Sequence, residues 1–243
     1  NIALMKISVN GDVNDNLITY NASTTDDKDA TKFLIAGNVE KAGDLTTISL
    51  NPDGLTLNYD QWKVSADNYL QLSTRGILAH DFAISNNGSE ISVQSETTVP
   101  NSPLNISISD FKIETITEMI KKDSLLAKGN INGTAQLRDL KNNMTISADV
   151  DVTDLFVYGS PVGNVDIKAN NQTADLIRAE VALSGFENDV KLLGTYNTTT
   201  SGLDMNLNLN QIQMKTVQGL SMNSIETEEG YLSGNLKITG PAE

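Results

Sequence analysis

Thr145-Ile-Ser-Ala-Asp-Val-Asp-Val-Thr153 decides how this chain reads. Ile146, Ala148, Val150 and Val152 alternate with Ser147, Asp149 and Asp151. Successive side chains of an extended strand point to opposite faces, so a period of two gives one greasy face and one wet face. The pattern returns in Leu203, Met205, Leu207 and Leu209 set against Asp204, Asn206, Asn208 and Asn210. It recurs in Ala179, Val181 and Leu183, in Leu104, Ile106 and Ile108, and in Leu55, Leu57 and Tyr59. Two runs lose phase: after Val152 the apolar set resumes at Leu155, and after Leu209 at Ile212. An odd spacing flips the face unless a residue bulges out, so these points predict bulges or sharp bends in long strands.

Turn chemistry falls between the runs, at Asn51-Pro-Asp-Gly54, Asn86-Asn-Gly88 and Thr198-Thr-Thr-Ser-Gly202, which predicts successive antiparallel hairpins. Ser23 to Thr31 is the most loop-like stretch. Pro100 to Pro103 is a break that divides the chain into 1–100 and 101–243. A helix is expected over Phe111 to Lys122, where Ile113, Ile116 and Ile120 share a face and Asp110 precedes the start. A shorter helical turn is expected from Lys215 to Met222. The expected fold is all-β: a long curled antiparallel sheet with an apolar concave groove and one or two short helices. A closed β-sandwich is the alternative, since alternating aliphatics also make an ordinary sandwich core.

Composition narrows function. Among 243 residues, 31 acidic against 17 basic side chains leave a net charge of −14. Phosphate backbones are bound by clustered cations, so a nucleic-acid partner is not expected. There is no cysteine, which excludes disulfides and thiolate chemistry. His80 is the only histidine, and its neighbour Asp81 should face the other way on a strand. Asp26, Asp27 and Asp29 lack the spacing of a calcium loop and read as a solvated turn. Trp62 is the sole tryptophan and aromatics make up 5%, a poor supply of platforms for sugar rings. No catalytic residue, metal or cofactor is expected, and the chain reads as a non-enzyme. What remains is the aliphatic face, with Ile106, Ile108, Ile146, Val150, Val152, Val181, Leu183 and Met205 as the candidate lining of a groove.

Three blocks carry a resemblance. They are Gly76-Ile-Leu-Ala-His-Asp-Phe-Ala-Ile-Ser-Asn-Asn-Gly88, Lys122-Asp-Ser-Leu-Leu-Ala-Lys-Gly-Asn-Ile-Asn-Gly133-Thr134, and Gly219-Leu-Ser-Met-Asn-Ser-Ile-Glu-Thr-Glu-Glu-Gly230 running on to Gly240. From about Trp62 onward the chain resembles TamB-like proteins of the AsmA-like superfamily, of the Bacteroidota type. The resemblance implies an internal or near-C-terminal segment of a longer periplasmic protein anchored in the inner membrane. It implies a "β-taco" whose greasy trough conducts phospholipid acyl chains, work alongside an outer-membrane Omp85-type (TamA-like) partner, and a role in outer-membrane protein assembly. Rival readings are a structural or adhesive β-solenoid repeat and a carbohydrate-active β-enzyme.

Overall fold

The computed structural model describes residues 6–117, 126–141, 143–225 and 229–242. Its N-terminal half comprises strands β1 (Lys6–Asn14), β2 (Leu17–Thr25), β3 (Thr31–Ala42), β4 (Leu45–Leu57), β5 (Asp60–Val64), β6 (Tyr69–Ser73), β7 (Gly76–His80), β8 (Phe82–Asn86) and β9 (Ser89–Ser95). Then follow β10 (Leu104–Lys112), the single turn α1 (Glu114–Thr117), β11 (Ala127–Arg138), β12 (Thr145–Val157), β13 (Ser160–Thr173), β14 (Leu176–Gly185), β15 (Asn188–Asn197), β16 (Gly202–Gln213), α2 (Met214–Leu220) and β17 (Tyr231–Pro241). The strands form one curled antiparallel sheet that does not close into a barrel.

Strands are neighbours in chain order almost throughout, as hairpin-connected strands should be. From β8 to β17 each strand pairs with the next. The exceptions lie between β4 and β8: β5 pairs with β8, β6 and β7 form a hairpin between them, and β4 forks the sheet. Its first half pairs with β6 at Thr46 to Ile48, and its last residues pair with β5 at Leu55 to Leu57. The Asn51-Pro-Asp-Gly54 stretch is therefore a bow within one strand, not the hairpin turn its composition predicts. Leu50 pairs with Gly37 and Leu55 with Ile35, so residues 51–54 loop out opposite Ala36 alone. Proline has no N–H to give to a ladder, and a Cβ on Gly54 would collide with the Ala36 carbonyl.

The other turn signals hold. Asn87 and Gly88 both take positive φ, 47° and 91°, in the two-residue turn between β8 and β9. The loop expected from Ser23 to Thr31 is shorter, because β2 runs to Thr25 and β3 starts at Thr31. Across the Pro100 to Pro103 break, β9 and β10 pair side by side. Of the helix expected over Phe111 to Lys122, the described residues show α1. Phe111 and Lys112 belong to β10, and residues 118–122 lie outside the described residues. Asp110 caps nothing; with φ of 45° it sits in a bulge.

The bulges fall where the phase slips foresaw them, between Val152 and Leu155 and between Leu209 and Ile212. Another interrupts β10 between Ile108 and Phe111, and the pairings of β11 and β15 shift register opposite the β12 and β16 bulges, so a line of irregularities crosses the sheet near one end of its strands. A bulge frees a backbone amide, and asparagines on adjoining strands take several of them up. Asp110 N–H donates to Asn132 Oδ1 at 2.8 Å and Asp154 N–H to Asn164 Oδ1 at 3.0 Å, and just past the β16 bulge Gln213 N–H donates to Asn188 Oδ1 at 2.7 Å. Bulges sharpen local twist and bend, which curls the sheet toward its apolar side.

Curling brings distant strands together. Leu50, Leu55, Trp62, Val64 and Phe111 form a buried cluster, with Tyr20 of β2 and Ile131 of β11 packed against it. The Trp62 and Phe111 rings lie 5.8 Å apart. A second cluster of Val162, Leu183 and Ile212 is covered by Val217 of α2. Trp62→Ala should therefore lower unfolding free energy by roughly 3–5 kcal/mol. Val150→Ala, outside both clusters, should cost about 1 kcal/mol or less. Urea denaturation of both variants checks the contrast, and equal losses would contradict it.

Candidate functional site

Register converts the alternation of single strands into continuous apolar rows. One row runs Ile91, Ile108, Gly133, Val150, Ile167, Val181, Leu192, Leu207 and Leu236 from β9 to β17. Two residues along each strand, a second runs Val93, Ile106, Ala135, Ala148, Ala169, Ala179, Gly194, Met205 and Ile238. Beyond it lies a third, with Leu104, Leu137, Ile146, Ile177, Tyr196 and Leu203, interrupted on β13 by Asn171, whose Oδ1 accepts the Ile146 N–H at 2.6 Å. On the far side of the first is a fourth, with Phe111, Ile131, Val152, Val165, Leu183, Val190 and Leu209. Directly paired residues share a face, so all four rows line the same side.

Every candidate lining residue lies in these rows, but their surroundings differ. Ile108 packs against the first cluster, and Leu183 is a buried member of the second. Ile106, Ile146, Val150, Val152, Val181 and Met205 are neither buried nor part of either cluster. The aliphatic face is thus closed at its β4–β10 end, where the sheet rolls onto Trp62. It is covered along the row nearest α2, and over the other rows from β11 to β17 no second layer packs on it among the described residues, its side chains being half-buried up to β16 and exposed on β17. With strands about 4.8 Å apart, the bare stretch runs ~29 Å across the strands.

The middle row is small. Ala135, Ala148, Ala169, Ala179 and Gly194 make a shallow lane, with Val150, Ile167, Val181 and Leu192 on one bank. Ile146, Ile177 and Tyr196 stand on the other. Four residues of extended chain separate the banks by about 13 Å. Gly194 must stay glycine, because a Cβ there would strike the Asp204 carbonyl and come within 2.6 Å of Met205 Cα. A second apolar hollow of about 260 Å³ lies among β1–β4, lined by Ile7, Thr24, Phe33, Ile35, Leu55 and Leu57. The lane escaped the sequence reading because alanine has no strand pattern of its own; only register aligns five strands' small residues.

The opposite face is polar and charged. Lys168 lies 3.5 Å from Asp149 and Lys237 3.3 Å from Asp204, both exposed pairs of small energetic weight. Asp151 and Asp166 sit directly opposite each other. Their shared hydrogen bond, burial and mutual repulsion raise the Asp151 carboxyl above its ordinary value. The acidic Asp26 cluster is a turn: Asp26 accepts the N–H groups of Lys28 and Ala30 and the Tyr59 hydroxyl. These bonds hold its carboxyl below the usual range. Asp29 pairs with Lys6. His80 ends β7 stacked on Tyr69, ring centroids 4.8 Å apart.

The Asp151–Asp166 pair gives a pH prediction. A carboxyl raised in the fold favours the protonated native state. That contribution is complete below the unfolded value near ~3.9 and is lost as pH rises through the folded value. Asp166→Asn should therefore raise the melting temperature at neutral pH, and the gain should vanish when melting is repeated at about pH 3. A gain that persists in acid would assign it to something other than charge. No protein-family model, curated protein or solved structure matches the chain.

Proposed function

We propose that this chain is a periplasmic bridge segment of the TamB-like kind, whose bare aliphatic face carries phospholipid acyl chains between inner and outer membranes. The observation that supports the reading is the uncovered run of aliphatic rows from β11 to β17, with its small-residue lane between taller banks. An acyl chain needs a continuous apolar surface and no specific pocket. Each CH₂ removed from water contributes on the order of 0.8 kcal/mol. Sliding along a uniform row exchanges one contact for an equal one, so such a face holds a chain firmly and resists its movement little. In this reading the full-length protein is anchored in the inner membrane and meets an Omp85-type outer-membrane partner, and it supports outer-membrane protein assembly as well. No helix among the described residues is long and apolar enough to cross a membrane.

Saturated fatty acids of increasing length should bind with affinity rising up to roughly fourfold per added carbon. Ala169→Leu, which fills the lane, should weaken binding about tenfold while leaving the melting temperature nearly unchanged. In the full-length protein, Val181→Arg and Leu207→Asp should fold, since their charges reach water on a bare face. They should also abolish photocrosslinking of lipid beyond the block. Folded variants with undiminished lipid passage would refute conduction. Gross unfolding of both would show that the face is a closed core in solution, because a buried unpaired charge costs several kcal/mol.

A further inference from the structure

We propose a second ligand site, for compounds bearing an organic ammonium group, at the end of the sheet where α2 leads into β17. A cleft of about 670 Å³ opens there, lined among others by Phe186, Glu187, Lys215, Thr216, Glu229 and Tyr231. Phe186 and Tyr231 are 49% and 63% exposed, so their rings face the cleft and solvent and are not core. Phe186 is held edge-on by Phe156 at 5.6 Å. Glu187 is held in turn, its Oε2 accepting from Gln213 Nε2 at 2.9 Å.

The floor is rigid. Thr216 is fully buried, and its hydroxyl donates to the Pro161 carbonyl and accepts from Asn188 Nδ2, both at 2.9 Å. Asn188 also binds the Val162 carbonyl and the Gln213 N–H. Aromatic faces beside carboxylates are the surroundings that hold an ammonium group. Lys215, also in the lining, supplies one positive charge. The lining therefore suits a zwitterion with ammonium at one end and phosphate at the other, either free in solution or as a lipid headgroup. Its geometry is independent of the trough, so each reading can fail alone.

The test titrates the protein with phosphocholine, lysophosphatidylcholine and glycerol phosphate, followed by calorimetry and amide chemical shifts. Phosphocholine should bind and shift residues around Glu187 and Tyr231, whereas glycerol phosphate should not. Tyr231→Ala, and the double variant Glu187→Gln with Glu229→Gln, should each weaken phosphocholine roughly threefold to tenfold. Melting temperature and fatty-acid binding should not change, because all three side chains are exposed. Tighter binding of the lysolipid, lost in the same variants, would assign the site to lipid headgroups, and equal binding would assign it to the free compound. Absence of phosphocholine binding, equal binding of glycerol phosphate, or affinity that survives both variants would overturn the site.

Discussion

The structure depends on the register of its backbone ladder. Each strand carries apolar side chains at every second position, and a slip of one residue would turn that whole set to the wet side. From β9 to β17 the pairing instead places Ile108 beside Gly133, Val150 beside Ile167, and Leu192 beside Leu207. Alternation within a strand thereby becomes continuity between strands. Burial, the lane of small residues and the polar outer face all follow from that alignment.

A ladder this long would drift out of phase or stay flat without correction. The line of bulges near one end of the strands supplies both phase and curvature. Each bulge strands a backbone amide, which is costly to leave unpaired. Asn132, Asn164 and Asn188 accept those amides from the neighbouring strand, which gives the abundant asparagines a structural task. Asn188 carries it furthest, tying β13, β16 and α2 together beneath the second cluster.

Curvature also decides where the aliphatic face is available. Where the sheet rolls tightly, Trp62 and Phe111 meet and the face becomes a core. Where it is looser, the same kind of row has no second layer above it among the described residues. One continuous surface thus serves as core at one end and is half-buried or exposed along the rest. On the outer face Asp151 and Asp166 confront each other across two strands, beside the weak, exposed ion pairs Lys168–Asp149 and Lys237–Asp204.

The sequence by itself determined the strands, the wet and greasy faces, most turns and the bulges beyond Val152 and Leu209. Each of these is set by neighbours a few residues apart, through alternation, turn stereochemistry and phase. It misjudged Asn51 to Gly54, whose turn residues serve a bow inside β4, and Phe111, whose helical spacing yielded to burial against Trp62. Neither outcome is visible locally, because both depend on strands brought in from elsewhere. Tertiary structure alone decided that Ala135, Ala148, Ala169, Ala179 and Gly194 form one lane, that Leu183 is covered while Val181 is not, and that Phe186, Lys215 and Tyr231 border a common cleft. Such groupings join residues through cross-strand register and sheet curvature, and no pattern along the chain encodes the distance between strands that it never places side by side.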